Sequence, residues 1–353
     1  MTTRRTVIFT AAICSATLLI ALSSGEIYLR LNGLTPYVRT VPGQYQNRAD
    51  AVSWAQTDPY FGWTAVKNST ETNSQGFRDS KEFSVVDTDR AIGRVMILGD
   101  SFVYGAGSSP DETVPHLLQV QLNGKYEVFN VGVPGWGIDQ MYLAYTRYKD
   151  TIKPHIVILA FIDDDVSRVL EAYRVNEGMT KPSFRVYGGE LVMRTASDGY
   201  SVAMNTMMNS SVFLSLVIRE ALLALDARPV VYTMFKKIEQ EAQRRNEAFV
   251  VLRIPCKEQA GLVGRSVWYL KGWQSVVHEL GTEYLDPLED MRQIPNWNRE
   301  FYIEDGHLSP AGNRYLARYL YQNVFENNTS LKIRVGSESV GRRVQPEIEL
   351  TSS

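Results

Sequence analysis

The sequence predicts an α/β domain built around a parallel β-sheet. Short apolar segments alternate with longer segments whose apolar residues recur every three or four positions, the pattern of strands that alternate with helices. Residues 156–161 (Ile-Val-Ile-Leu-Ala-Phe) are apolar throughout, which indicates a strand buried on both faces. Because such strands occur in parallel sheets that helices cover on both sides, we expect right-handed β-α-β crossovers.

The elements of this core can be assigned in order from Arg94 onward. Strands are expected at residues 95–98, 127–130, 156–161, 249–254 and 283–285. Helices are expected at residues 114–122, 138–148, 233–245, 267–280 and 310–325. Each strand is followed by a helix, so the carboxyl ends of the strands should meet at one edge, where open α/β folds place their sites.

Composition divides the chain into four regions. Residues 1–31 form an apolar segment with a short stalk, and residues 32–93, punctuated by Pro, Gly and Asn, are expected to wrap the domain as an irregular collar. Residues 94–328 form the main domain, with an insertion at residues 169–228. The polar tail at residues 329–353 is expected to be disordered.

The insertion combines a hairpin with an apolar helix. The hairpin is predicted at residues 184–194, turning at Gly188-Gly189, and the helix at residues 204–225. Several of its apolar residues either pack against the main domain or line a substrate pocket under a lid: Met204, Met207, Met208 and Phe213. Because flexible thioethers fill gaps in a core as readily as they bind ligands, we expect packing.

The amino terminus has the pattern of an export signal. Arg4 and Arg5 precede an apolar stretch at residues 7–22, as in a signal peptide or an uncleaved signal anchor. We expect the anchor, because residues 26–31 continue as a helical stalk; cleavage after Ser23 is the alternative. Either reading places the rest of the chain outside the cytoplasm. The anchor makes it a single-pass protein of the cell membrane, and cleavage makes it secreted or periplasmic.

The charge balance argues against a nucleic-acid partner. The 353 residues carry 37 basic and 39 acidic side chains, a net charge of -2, so no global field attracts a polyanion. Cys14 and Cys256 are the two cysteines, and the first lies in the apolar amino terminus, so an internal disulfide is not expected.

Gly99-Asp100-Ser101 directly follows the apolar run at residues 95–98. A buried strand that ends in small and polar residues leaves its last side chain at the carboxyl edge of the sheet. Ser101 is therefore a candidate nucleophile. The alternative is that Asp100 and Ser101 only begin a turn and satisfy local backbone groups.

A histidine near the carboxyl end supplies a candidate base. His307 lies in the run Glu304-Asp305-Gly306-His307, just before Ser309-Pro310, which reads as the start of a helix. A serine nucleophile needs a neighbouring base, and a carboxylate usually orients that base. The other histidines fit packing or surface positions better: His116, His155 and His278.

Three blocks in this order resemble those of the SGNH (GDSL) hydrolase superfamily: Gly99-Asp100-Ser101, Asn130 to Gly135, and Asp305-Gly306-His307. The stretch 73–79 also resembles an element that precedes the first block in a membrane-linked branch. The resemblance implies a three-layer α/β/α, flavodoxin-like sandwich. It also implies hydrolysis or transfer of ester-linked acyl groups, without metal or organic cofactor.

The expected oxyanion donors are the backbone amides of Ser101 and Gly135, the second because a glycine-rich turn allows close approach of the backbone. An ordinary strand-to-helix turn is the alternative for Gly135. The third block of the superfamily carries Gly-x-Asn-Asp, whose asparagine is the third donor. This chain has Ile162-Asp163-Asp164-Asp165 instead, and Asp164 is expected in the place of the asparagine.

An aspartate there has consequences for catalysis. An ionised carboxylate cannot donate and repels the developing charge, whereas protonated Asp164 can donate. Alternatively, Arg168 neutralises Asp164 while the two amides suffice. A third reading is that the acidic run complements a helix dipole, which is compatible with either role.

The orienting carboxylate has two candidates. Many members of the superfamily place it three residues before the histidine, which is Glu304 here, and others place it two before, which is Asp305. The shorter spacing resembles that of alginate O-acetyltransferase-like relatives, so Asp305 is preferred and Glu304 is the alternative. Asp100 is expected to support the serine loop through backbone bonds.

The sequence therefore predicts an exported, membrane-tethered serine esterase or acyl(acetyl)transferase, with a small-molecule or glycan acyl ester as substrate. Ser101 attacks, His307 moves the proton and Asp305 orients the imidazole. The alternative is a catalytically weak or inactive SGNH-fold protein that binds glycans or acts as a scaffold in the cell envelope.

Overall fold

A five-stranded parallel sheet forms the centre of the molecule. The computed structural model describes residues 2–34, 46–47, 52–83, 92–174, 177–194, 210–257 and 273–326. Two short strands in the collar are β1 (Ala55–Asp58) and β2 (Gly62–Ala65). The strands of the central sheet are β3 (Gly93–Gly99), β4 (Tyr126–Gly132), β5 (Ile156–Phe161), β10 (Ala248–Arg253) and β11 (Glu283–Leu285). Their order across the sheet is β11-β10-β5-β3-β4, and all four pairings are parallel.

Helices cover both faces of this sheet, which gives the predicted three-layer α/β/α sandwich. The longer helices are α1 (Thr2–Leu31), α3 (Val114–Gln121), α4 (Ile138–Ile152), α6 (Val212–Leu222), α7 (Arg228–Arg244) and α11 (Pro310–Leu320). The shorter ones are α2 (Ser101–Tyr104), α5 (Asp163–Arg168), α8 (Trp273–Glu279), α9 (Leu288–Arg292) and α10 (Trp297–Glu300).

The alternation of side chains along each strand divides the core between the two faces. On β3, Met96 and Leu98 join the cluster that includes α4 and α7, whereas Val95 and Ile97 join the cluster that includes α3 and α11. All four are fully buried. This is the arrangement expected when apolar strands lie between two helical layers.

The register brings the carboxyl ends of the three central strands together. Gly99 at the end of β3 lies beside Gly132 of β4, and Leu98 lies beside Leu159 of β5. The segments that leave these strands carry Gly99-Asp100-Ser101, the turn with Gly135, and the acidic run beginning at Asp163. The fold thus places the candidate blocks at one edge.

The collar is not wholly irregular, contrary to the sequence-based expectation. β1 and β2 form an antiparallel hairpin between Ala55 and Ala65. Its turn is held by the Asp58 carboxylate, which accepts hydrogen bonds from the Tyr60 and Phe61 amides at 2.9 and 3.0 Å. Side-chain capping of this kind makes a turn from residues without apolar periodicity. Residues 35–45 and 84–91 of the collar lie outside the described residues.

The insertion contains the predicted hairpin, with strands β8 (Phe184–Tyr187) and β9 (Glu190–Met193) on either side of Gly188-Gly189. It also contains the short pair β6 (Tyr173–Arg174) and β7 (Met179–Thr180). Fully buried Lys181, next to β7, forms an ion pair with fully buried Asp139 of α4. Phe213 lies on α6, whereas Met204, Met207 and Met208 lie outside the described residues.

The predicted break between two helices in this region was wrong. α6 runs through a π-helical turn, Leu223–Ala227, directly into α7, which begins at Arg228 and not at residue 233. Pro229 lies in the first turn of α7, where a proline costs little because its missing N–H has no helical partner there. The expected helix at residues 267–280 is described from Trp273 onward, and the expected tail lies outside the described residues.

Candidate active site

Ser101 is the first residue of α2, immediately after β3. The Asp100 carboxylate caps this helix by accepting the Phe102 amide at 2.9 Å, as expected for a residue that supports the serine loop. The helix ends after one turn at Gly105, whose φ of 84° is left-handed. The strand-to-helix turn leaves the Ser101 hydroxyl at the carboxyl edge of the sheet, 7% exposed.

His307 reaches this serine from the opposite end of the sequence. Its Nε2 lies 2.9 Å from Ser101 Oγ, a distance suited to proton transfer. The histidine is held in a tight loop, because the Ile303 amide donates to the His307 carbonyl at 2.9 Å. Ser309 then caps the next helix, accepting from the Gly312 amide, and so starts α11 where the sequence predicted.

Asp305 is the carboxylate that approaches the imidazole. Its Oδ1 lies 3.1 Å from His307 Nδ1 and accepts the His307 backbone amide at 3.0 Å. Nδ1 is within ion-pair distance but is not aligned for a hydrogen bond. Desolvation alone would raise the pKa of Asp305, but the hydrogen bond from the His307 amide and the approach of the imidazole outweigh that effect and lower the pKa. The Glu304 side chain is exposed.

Gly135 occupies a buried turn between β4 and α4, with a left-handed φ of 78°. A Cβ atom at this position would lie 2.3 Å from Oε1 of Glu177, a buried residue of the insertion. The left-handed backbone conformation favours glycine here, and a Cβ atom would also require the Glu177 side chain to move. The Glu177 carboxylate also forms an ion pair with Arg174, whose Nε lies 3.2 Å from Oε2.

The three aspartates of the third block have different surroundings. Asp163 forms a bidentate ion pair with Arg253 of β10: Nε lies 2.7 Å from Oδ1, and Nη2 lies 2.9 Å from Oδ2. Asp164 is exposed on α5. Asp165 is fully buried; its Oδ2 accepts the Ile162 amide at 2.9 Å, and its Oδ1 pairs with Arg168.

Sequence reasoning did not anticipate the partners of Arg168. The sequence offered Arg168 as one possible partner of Asp164; in the structure its Nη1 lies 3.0 Å from Asp100 Oδ2 and also contacts Asp165 Oδ1. The spacing of Asp165 and Arg168, one helical turn apart, was the one signal for part of this arrangement. The contact with Asp100 joins positions 68 residues apart, which no local pattern indicates.

The remaining histidines lie elsewhere. His155 accepts the Arg94 amide through Nδ1 at 3.0 Å, at the start of β3 and therefore at the far edge of the sheet. His116 and His278 are exposed. Among the described residues, no group of three or more His, Cys, Asp or Glu side chains is placed to hold a metal ion.

A serine–histidine contact at the carboxyl edge of a parallel sheet is the geometry of a serine-dependent acyl hydrolase. The model of the GDSL-like Lipase/Acylhydrolase family matches residues 97–315, which include Ser101, Gly135 and His307. The chain belongs to this family. The matched range contains all three blocks that the sequence analysis singled out.

The chain is similar to several solved structures at low sequence identity. An acetyl xylan esterase, AlAXEase, is 15% identical with a TM-score of 0.42, over 66% of this chain and 100% of its own. The lipase/acylhydrolase from Enterococcus faecalis is 15% identical with a TM-score of 0.39, over 66% and 95%. Esterase EstA from Pseudoalteromonas sp. is 10% identical with a TM-score of 0.40, over 66% and 96%. No curated protein matches the chain.

Proposed function

We propose that this GDSL-family protein is an exported, membrane-tethered serine esterase or acyltransferase that works through an acyl-serine intermediate. The observation that carries the proposal is the 2.9 Å contact between Ser101 Oγ and His307 Nε2. Asp305, 3.1 Å from Nδ1, is the orienting carboxylate. Acetylated glycans of the cell envelope suit the proposed location.

The proposed reaction has two halves. Ser101 Oγ attacks the ester carbonyl while His307 takes its proton, and the amides of Ser101 and Gly135 face the developing oxyanion. His307 then gives the proton to the departing alcohol, leaving the acyl group on Ser101. In the second half, His307 takes a proton from water in a hydrolase or from a sugar hydroxyl in a transferase, and that oxygen attacks the acyl group. His307 then returns the proton to Ser101 Oγ as the bond between Ser101 and the acyl group breaks.

The amino-terminal helix supports the tether. One helix in the described part of the chain, at Thr6–Leu31, is long and apolar enough to cross a membrane. Near the end of this segment, Glu26 accepts the Val212 and Phe213 amides at the start of α6, both at 2.9 Å. The span is thereby joined to the insertion.

One observation favours a second candidate, a catalytically weak protein that binds glycans. The block that carries an asparagine donor in the superfamily has only aspartates here, of which Asp164 is exposed. An ionised carboxylate at the oxyanion opposes the reaction, and losing one donor costs up to roughly 1,000-fold in rate in a serine protease.

Burst release from a chromogenic acetyl ester separates the two candidates. The esterase should release about one equivalent of chromophore rapidly, and Ser101→Ala or His307→Ala should abolish the burst without preventing cooperative unfolding. Unchanged turnover in either variant removes the proposed pair. The transferase arm is tested by adding an oligosaccharide and asking whether acylated sugar replaces free acetate as the product.

A further inference from the structure

A single buried guanidinium lies behind the nucleophile. Nη1 of Arg168 lies 3.0 Å from Asp100 Oδ2 and 2.8 Å from the Trp136 carbonyl, and it also contacts Asp165 Oδ1. Asp100 immediately precedes Ser101, Trp136 immediately follows Gly135, and Asp165 lies in the third block. One nitrogen therefore connects the three segments that surround the oxyanion in the proposed reaction.

We propose that Arg168 is a positioning residue for this acyl transfer: it fixes the amides of Ser101 and Gly135 relative to each other and neutralises Asp100. The inference rests on the proposed function and extends it to a residue that touches no substrate. Oxyanion donors lower the barrier because they are in place before charge develops, so what holds their segments contributes to the rate.

The second proposed role of Arg168 is to neutralise the charge of Asp100. Asp100 Oδ2 lies 3.4 Å from Ser101 Oγ, so an uncompensated carboxylate there would repel the negative charge that develops nearby. The two carboxylates around Arg168 are both fully buried. Burial, and then repulsion by Asp100, raise the pKa of Asp165 well above its usual range. Removing the cation would leave both carboxylates without their shared counterion.

Arginine and lysine would hold this position differently. The three contacts of Arg168 are made by Nη1 of a planar guanidinium, whereas a lysine would place a compact ammonium on a flexible stem. Lysine should therefore preserve the neutralising charge at position 168 and lose the fixed geometry. The Arg168→Lys variant can therefore distinguish the positioning role from the neutralising role.

The chain offers a matched control in Arg94, a buried arginine at the opposite end of β3. Its Nε donates to the carbonyls of Ile152 and Lys153 at 2.8 and 2.9 Å. Arg168→Met and Arg94→Met each remove a buried cation that holds backbone carbonyls. Arg168 lies close to Ser101, whereas Arg94 lies at the opposite edge of the sheet.

The first measurement is the acylation rate of the full-length protein with a chromogenic acetyl ester. Arg168→Met should acylate about 100-fold more slowly, the effect of a misplaced oxyanion donor, with KM changed less than about threefold. Arg168→Lys should recover part of the loss, and it replaces the methionine variant if that one does not fold. Arg94→Met should acylate at the wild-type rate. Equal losses in Arg168→Met and Arg94→Met, or no loss in either, would overturn the proposal.

A double variant tests whether Arg168 acts through Asp100. Asp100→Asn removes the charge that Arg168 neutralises, so Arg168→Met with Asp100→Asn should acylate faster than Arg168→Met alone. Losses that simply multiply would show that the two residues act independently and would contradict the neutralising role.

Amide hydrogen exchange gives a readout that needs no activity. Arg168→Met should increase exchange in the segments 99–105 and 133–137, whereas Arg94→Met should not. Unchanged exchange in both segments would refute the positioning role even if the wild-type protein gave no burst. A wild-type protein that releases no chromophore at all, but shows this exchange pattern in Arg168→Met, would refute the proposed function alone.

Discussion

At the scale of single residues, the two carboxylates before His307 differ in what they contact. Both side chains are exposed, but Asp305 Oδ1 approaches the imidazole and accepts the His307 backbone amide. Asp305→Ala should therefore lower turnover by roughly 100-fold, less than the loss in a serine protease with a buried orienting aspartate. Glu304→Ala should change turnover less than about twofold, as for an exposed surface charge. Steady-state kinetics on an acetyl ester measure both, and a worse glutamate variant would mean that the orienter is misassigned.

Asp164 provides a second prediction at this scale. If its carboxylate faces the oxyanion, Asp164→Asn replaces a repelling charge with a donor and should raise the acylation rate by up to roughly 100- to 1,000-fold. The gain should shrink as the pH falls, because a protonated aspartate also donates. Asp163→Asn is the control, since Asp163 is held by Arg253 and its loss should lower stability instead. A flat or reduced rate for Asp164→Asn would show that position 164 does not face the oxyanion.

At the scale of elements, the turn between β4 and α4 has a matched counterpart elsewhere. Gly135 and Gly124 both have a φ of 78°, but a Cβ at Gly124 meets nothing within 4 Å, whereas one at Gly135 meets Glu177. Alanine at either position should cost about 1–2 kcal/mol for the left-handed backbone. Only Gly135→Ala should also slow acylation, by up to about 100-fold, because the turn or Glu177 must move.

Thermal unfolding and burst kinetics on the two alanine variants separate these effects. Equal acylation rates in Gly135→Ala and Gly124→Ala would mean that the Gly135 amide is not an oxyanion donor. A loss of stability in Gly135→Ala alone would place the cost in the contact with Glu177 and not in the backbone conformation.

The predictability of each element depended on whether an apolar pattern in the sequence indicates it. All five strands of the central sheet were predicted within two residues at either end, because each is an apolar run between polar turns. The hairpin of β1 and β2 was missed, since the Asp58 carboxylate, and not an alternating pattern, makes its turn. The continuous helix through α6 and α7 was not predicted, because the two helices are connected by a π-helical turn that includes Asp226.

The same distinction applies to the site. The motifs predicted that Ser101 and His307 act together, and the structure places them in contact. They did not predict that Arg168 contacts Asp100 and the Trp136 carbonyl. Those partners lie in segments that meet only when the sheet has formed, so no motif or spacing in the sequence predicts these contacts.

At the scale of the whole molecule, the proposed membrane tether by the amino-terminal helix can be tested directly. If Thr6–Leu31 remains attached, the full-length protein should stay in the membrane fraction after alkaline carbonate extraction, and protease added outside the cytoplasm should digest its catalytic domain. A soluble form beginning near Ser24 would show a cleaved signal peptide instead. Mass spectrometry of the amino-terminal peptide distinguishes the two forms.

The ion pair between Lys181 and Asp139 has a consequence for the evolution of this protein. Its two side chains are fully enclosed and lie on different parts of the chain, one in the insertion and one at the start of α4. Replacing Lys181 by methionine, with the rest of the insertion in place, would remove the counterion of the enclosed Asp139, at a cost of about 3–5 kcal/mol. A loss of that size is a large fraction of the stability of a typical domain. A sequence that replaced the insertion around Asp139 would therefore have to supply a cation at this position or change Asp139 as well.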